Sequence, residues 1–194
     1  DVWFSSVTET QESPLVPVRS MAVLLHSEDC EKDWYYSKEY WQAYFALLAE
    51  NRWNAFNLIF SDQTPYLSPL YAFHVEVKEH PEVKAKGLTD SERERNLEML
   101  RYISSLAKDY GVSFTLGIWQ QIAWESKHQG SRQESMVTGL TRENMYSYTY
   151  HALLKLLKAC PDIDTVQLRI NHESGIDYDE RLGVMVNDRL QTTN

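Results

Sequence analysis

The sequence predicts an α/β fold built from parallel βαβ units. Short, nearly continuous apolar runs alternate with long amphipathic runs, and this alternation continues from residue 21 towards the end of the chain. Continuous apolar runs are typical of strands buried on both faces, whereas apolar residues three or four apart are typical of helices. Strands and helices that alternate in this way form a parallel sheet.

The individual elements follow from the same patterns. The predicted strands are residues 21–25, 55–60, 113–119 and 165–170. The predicted helices begin at Ser37, which suits an N-cap, at Thr89, which opens a capping box with Glu92, and at Thr141. Gly111 is expected to cap the second helix, and Pro161 is expected to stop the third.

The connecting segments favour one of the two architectures that share this order of elements. Residues 61–89 and 120–140, which connect strands to helices, are long, whereas the helix-to-strand connections are short. Long strand-to-helix loops build the functional face of a barrel, and no Gly-rich phosphate loop follows any strand. We therefore expect the first half of a TIM-like (β/α)8 barrel rather than an open doubly wound sheet.

The length sets the expected domain organisation. A complete barrel needs about 250 residues, whereas this chain has 194. We expect residues 1–20 to be a lead-in or linker and residues 21–194 to be a partial catalytic barrel. The chain opens on Asp1 with no signal-peptide pattern, which suggests a start after processing or at a fragment boundary. The remaining half of the barrel, or a second copy of the chain, is the expected structural partner.

Composition excludes several partners. The chain carries 28 acidic and 19 basic residues, a formal net charge of −9, so nucleic acid and anionic membranes are not expected to bind it. The sequence contains no run of 18 apolar residues, so no transmembrane helix is predicted. Cys30 and Cys160 lack a Cys-x-x-Cys partner and are expected to be free thiols, although a single bridge between them stays open.

The most informative motif is Asn171-His172-Glu173, directly after the fourth predicted strand. A carboxyl group at this end of a barrel strand faces the substrate cleft, and partial desolvation suits it to act as a general acid. We predict that Glu173 is catalytic and that Asn171 and His172 bind substrate. Alternatively, Glu173 caps the next helix or pairs with a nearby arginine. Arg169 suits a substrate carboxylate or an ion pair with a neighbouring strand.

Aromatic and amide side chains in the other loops suggest a carbohydrate ligand. Tryptophan rings stack on sugar faces, and glutamine amides bond to two hydroxyl groups. The predicted contacts are Trp119, Gln120, Trp124, Gln63, Tyr66 and His26. The alternatives are a tryptophan packed beneath a loop, a proline-stiffened loop that packs on itself, and a structural histidine at the end of the first strand.

No metal or other cofactor is predicted. The sequence contains neither His-x-His nor His-Glu-x-x-His, and it lacks the Gly-x-Ser-x-Gly elbow of serine hydrolases. A metal-dependent barrel hydrolase, with histidines from several loops converging on one rim, is kept as the weakest of three functional hypotheses.

Several segments resemble the first half of a glycoside hydrolase barrel, in the broad group of β-hexosaminidases and α-glucuronidases. The resemblance rests on Val18-Arg19-Ser20, on residues 51–54 and 114–119, and on the ending of the fourth strand. It implies that Glu173 is the general acid of a glycosidase, and it favours a periplasmic or extracellular location. The chain departs from the hexosaminidase pattern, which has Asp where this sequence has His172. The leading hypothesis is therefore a glycoside hydrolase acting on an oligosaccharide or polysaccharide, and the second is a barrel that binds carbohydrate without cutting it.

Overall fold

The computed structural model describes residues 13–25, 28–60, 70–118, 137–141 and 143–168. Helices and strands alternate along these ranges. In chain order they are β1 (Ser20–Leu25), α1 (Glu28–Tyr35), α2 (Lys38–Glu50), β2 (Ala55–Phe60), α3 (Leu70–His74), β3 (Lys84–Ala85), α4 (Asp90–Asp109), β4 (Ser113–Ile118), β5 (Val137–Thr138), α5 (Met145–Ala159) and β6 (Thr165–Leu168).

The main sheet has four parallel strands in the order β1-β2-β4-β6. Each long strand pairs with the next long strand along the chain, beginning with Ser20 opposite Ala55. A doubly wound sheet reverses its strand order at a switch point, and the described strands show no reversal. The predicted fold class is confirmed: parallel βαβ units arranged as in part of an α/β barrel.

One face of this sheet forms the core against the helices. Large apolar side chains occupy every second position in parts of β2 and β4. Four of them are completely buried: Phe56, Leu58, Phe114 and Leu116. Alternation with period two places these side chains on the same face. This face buries large apolar groups and therefore contributes most of the hydrophobic stabilisation of the fold.

The opposite face of the sheet carries smaller and more polar side chains. The Asn57 amide nitrogen donates a 2.7 Å hydrogen bond to Gln167 Oε1, bridging from β2 to β6. Gly117 of β4 lies in the register between these strands. A Cβ atom at Gly117 would lie 2.7 Å from Ile59 Cγ1 and 3.0 Å from Asn57 Oδ1. Because Gly117 has no side chain, the Ile59 and Asn57 side chains can pack directly beside the β4 backbone.

Two of the three predicted helices begin where the sequence predicts, whereas α1 and α3 were not predicted. Ser37 Oγ accepts a bond from the Tyr40 amide, and Thr89 and Glu92 form the complete capping box. The sequence predicts that the third helix starts at Thr141, but α5 begins after Asn144. None of the described helices is both long and apolar enough to cross a membrane.

Part of the aromatic content lies in the core rather than in loops. Trp41 is completely buried, and its indole nitrogen donates a 2.7 Å bond to the Tyr35 carbonyl. Its ring packs against Phe45 and Phe56, with centroids 6.2 and 6.0 Å away. These rings join α1, α2 and β2 into one aromatic cluster.

A short antiparallel ribbon joins two segments that were predicted to be long loops. Lys84 of β3 lies opposite Thr138 of β5. Gly139 follows the ribbon with a φ of +79°, and a Cβ atom there would lie only 1.9 Å from the Glu82 carbonyl oxygen. Only glycine permits this approach of the two backbones.

Candidate functional site

The predicted site residues belong to segments that follow the carboxyl ends of the parallel strands. We call these segments the rim. The residues predicted there lie outside the described ranges: His26, Gln63, Tyr66, Trp119, Gln120, Trp124, Arg169, Asn171, His172 and Glu173. Their roles therefore stay predictions.

The described rim includes a buried polar anchor between three helices. Asn96 of α4 is 1% exposed; its Oδ1 accepts a short 2.5 Å bond from the Tyr36 hydroxyl, and its Nδ2 donates to the Phe73 carbonyl at 3.0 Å. A buried amide is stable only when its polar atoms are bonded in this way. The anchor fixes the chain after α1 and the helix α3 against α4.

A second set of polar side chains on the rim is the His80 cluster, which consists of His80, Glu82, Asn144 and Ser147. His80 Nδ1 lies 3.1 Å from Glu82 Oε1, and His80 Nε2 lies 2.9 Å from Ser147 Oγ. The His80 side chain is 13% exposed and that of Glu82 is 48% exposed. The cluster joins the connection that follows β2 to the start of the helix that follows β4.

The carboxylate of the His80 cluster is held by several donors. Asn144 Nδ2 donates to Glu82 Oε1 at 2.9 Å. The pKa of Glu82 lies below its usual value, first because a backbone N–H bonds to the carboxylate and then because His80 does, with a further contribution from Asn144. Glu82 is therefore ionised at neutral pH.

Local structure explains why Asn144 takes this position. Its Oδ1 accepts a 2.7 Å bond from the Thr141 amide, and its Nδ2 also donates to the Gly139 carbonyl at 2.8 Å. Asn144 is the residue before α5, so the same side chain closes the turn that leads into the helix. The ribbon and this turn together bring Glu82 and Ser147 to the same imidazole.

Two buried tyrosines lie beneath the His80 cluster. Tyr71 and Tyr148 are 2% and 4% exposed, with ring centroids 6.5 Å apart, and the His80 ring lies 6.0 Å from Tyr148. Burial raises the pKa of both phenols, so they stay protonated at neutral pH. In the part of the chain that the structure describes, neither hydroxyl has a hydrogen-bond partner.

A second imidazole lies beside the cluster. The ring of His151, one turn along α5 from Ser147, is 6.2 Å from the His80 ring, and its Nδ1 lies 4.0 Å from Glu79 Oε1. Despite this concentration of ligand types, the described ranges contain no group of three or more His, Cys, Asp or Glu side chains that could hold a metal ion.

Sequence reasoning missed the His80 cluster because its members are distant along the chain. His80 and Ser147 are separated by 67 positions, and the sequence offers no motif that links them. One local signal was available: Thr141 and Asn144 have the spacing of a turn that leads into a helix. It marks the helix start but gives no information about the partner histidine.

No family model matches this sequence, and a search of curated proteins found no match. Among solved structures, the chain is similar to a GH138 enzyme targeting pectin rhamnogalacturonan II, with a TM-score of 0.57 and 15% sequence identity. The match covers 83% of this chain and 20% of that enzyme, so the chain spans about a fifth of its structural neighbour. The likeness shows that most of the present sequence shares its fold with part of that enzyme.

Proposed function

We propose that this protein acts on carbohydrate as a glycoside hydrolase, with Glu173 as the general acid. The observation that supports the proposal most strongly is the sequential parallel sheet together with its likeness to a glycoside hydrolase. In such a barrel, catalytic groups stand at the carboxyl ends of the strands. Glu173 follows the last described strand, β6, within a few residues along the sequence.

The proposed substrate is a polysaccharide or an oligosaccharide derived from one. Trp119, Trp124 and Tyr66 would stack on sugar rings, while Gln63, Gln120 and Asn171 would bond to hydroxyl groups. His172 would orient the acid, and His26 would contact substrate from the end of β1. Arg169 would bind a substrate carboxylate. Because the structural neighbour targets pectin rhamnogalacturonan II, fragments of that pectin are the first substrates to test.

A carbohydrate-binding barrel without hydrolytic activity is the second candidate. The aromatic and amide side chains proposed to bind substrate would equally bind a sugar that is not cleaved. Retaining and inverting glycosidases both need a second carboxylate, about 5–5.5 Å from the first in retaining enzymes and about 6.5–9.5 Å in inverting ones. In this second candidate, the same loops would bind the sugar and no carboxylate pair would be completed.

Glu173→Gln tests the catalytic assignment. We expect this variant to lose hydrolysis of pectin fragments, measured as released reducing sugar, while retaining sugar affinity measured by calorimetry. The matched control is Glu98→Gln, which alters an exposed carboxylate on α4 and should leave both quantities unchanged.

The outcomes separate the two candidates. Unchanged turnover in Glu173→Gln would refute the assignment of the general acid. Binding of a glycan by the unaltered protein, without hydrolysis of any member of a pectin panel, would favour the binding module. If the protein shows neither binding nor hydrolysis of any glycan tested, the carbohydrate proposal itself is refuted.

A further inference from the structure

The geometry points to Ser147 as the nucleophile of a second hydrolytic site, which would cleave short-chain carboxylic esters. His80 would be its general base, and Glu82 would be a positioning residue. This inference does not depend on Glu173, because the participating side chains belong to the His80 cluster. The arrangement is that of a nucleophile bonded to a base that is oriented by a third group.

The hydrogen bonds fix the direction in which the proton would move. Glu82 is ionised and can only accept, so the proton between Glu82 and His80 belongs to Nδ1. In a neutral imidazole, Nε2 is then an acceptor. In this neutral tautomer, the Ser147 hydroxyl group donates its hydrogen to Nε2 across 2.9 Å, which is the ground-state alignment required for general-base catalysis.

The imidazole is held on several sides. Backbone bonds from His80 N to the Val77 carbonyl and from Val83 N to the His80 carbonyl fix its turn. The Tyr148 ring packs edge-on against it at an interplanar angle of 79°. Asn144 restrains the carboxylate that bonds to Nδ1. A base held in this way needs little reorganisation when it becomes an imidazolium.

The nucleophile has a suitable electrostatic position. Ser147 is the third residue of α5, near the amino-terminal end of a helix of 15 residues. The positive end of the helix dipole would stabilise the oxyanion that forms during attack on an ester. Ser147 is only partly buried, while Tyr146 and Tyr150 on the same helix are 69% and 59% exposed. This end of α5 therefore lies at the protein surface.

The proposed reaction balances without any added reactant except water. Ser147 Oγ attacks the ester carbonyl carbon while its proton passes to His80 Nε2. The bond from carbon to the alcohol oxygen then breaks, and the alcohol leaves with that proton. Water attacks the acyl-serine, gives a proton to His80, and releases a carboxylic acid as the Ser147 hydroxyl is restored.

A fluorophosphonate probe and p-nitrophenyl acetate test the site. The unaltered protein should gain one phosphonyl group at Ser147 with loss of fluoride, identified by peptide mass, and it should hydrolyse the acetate ester. Ser147→Ala should abolish labelling at that position and reduce ester hydrolysis about a hundredfold, the scale of general acid–base catalysis. His80→Gln should slow the labelling of Ser147 and reduce ester hydrolysis about a hundredfold, because the general base is removed.

Ser105→Ala is the matched control, because Ser105 is another partly buried helical serine. It should retain labelling and hydrolysis, and thermal melting of each variant reports whether it folds. Absence of labelling in the folded, unaltered protein would overturn the proposal and leave the His80 cluster with a structural role. Full ester hydrolysis in Ser147→Ala would also overturn it. Glycosidase activity should be unchanged in Ser147→Ala, so the two proposals fail separately.

Discussion

The two faces of the parallel sheet differ in what they bury. Towards the helices, Phe56, Leu58, Phe114 and Leu116 are completely enclosed. On the opposite face, Leu24 remains 37% exposed, although the next residue of β1, Leu25, is fully buried. Among the described residues, the helix-facing side therefore accounts for most of the core. The other side is stabilised by close packing around Gly117 and by the hydrogen bond between the Asn57 and Gln167 amides.

The largest expected difference between the faces is in the cost of side-chain truncation. Phe114→Ala should lower the free energy of unfolding by about 3–5 kcal/mol, because it removes a fully buried ring. Leu24→Ala should cost about 1 kcal/mol or less, since much of that side chain already contacts solvent. Urea denaturation of both variants measures the difference, and equal losses would contradict the assignment of the core to the helix-facing side.

A smaller effect is expected at Gly117, on the face of the sheet opposite the helices, where neighbouring side chains pack closely over β4. Gly117→Ala should destabilise the protein by about 1–3 kcal/mol, because its new methyl group would overlap Ile59 Cγ1. Gly111→Ala is the comparison, since Gly111 has a φ of +69° but open space around its Cβ direction; backbone strain alone should cost about 1 kcal/mol. If Gly117→Ala leaves the free energy of unfolding unchanged, Ile59 and Asn57 do not pack closely against Gly117.

The amide bridge should give a still smaller coupling. A double-mutant cycle of Asn57→Ala and Gln167→Ala should show an interaction free energy of about 0.5–1 kcal/mol, typical of one hydrogen bond near solvent. Denaturation of the two single variants and the double variant provides the measurement. If the two single changes in the free energy of unfolding add strictly, the hydrogen bond contributes nothing to stability.

The smallest perturbation is chemical labelling, which leaves the folded state intact. Both cysteines are free thiols, as predicted; Cys30 is exposed and Cys160 is 1% exposed. Burial raises the pKa of Cys160 to about 11, so little thiolate forms at pH 8. Iodoacetamide should therefore modify Cys30 at least about tenfold faster than Cys160. Comparable rates would show that the core opens readily.

Much of the fold could be predicted from sequence because its elements are encoded locally. The predicted second strand coincides with Ala55–Phe60, and the capping box at Thr89 and Glu92 gives the start of α4. The helix α1 was missed because its sequence is mostly polar and it follows β1 almost directly. The two-residue strands β3 and β5 are too short to have any periodicity.

The candidate site could be predicted far less completely. The fold class indicates which ends of the strands form the rim, and this was enough to nominate Glu173 and the aromatic loops. It was not enough to find His80 with Ser147, because a long-range contact between two loops depends on how both connections fold. The ribbon and the turn at Asn144 bring these side chains together, and neither is visible in the local sequence around His80.

The close approach at Gly139 has an evolutionary consequence. Any side chain there would displace the Glu82 backbone, and with it the carboxylate that bonds to His80. If the Glu82 carboxylate orients His80, selection would conserve Gly139 even though this glycine contacts no substrate. Among homologues, loss of Gly139 should then coincide with loss of His80 or Glu82, whereas drift at these three positions independently would mark the contact as dispensable.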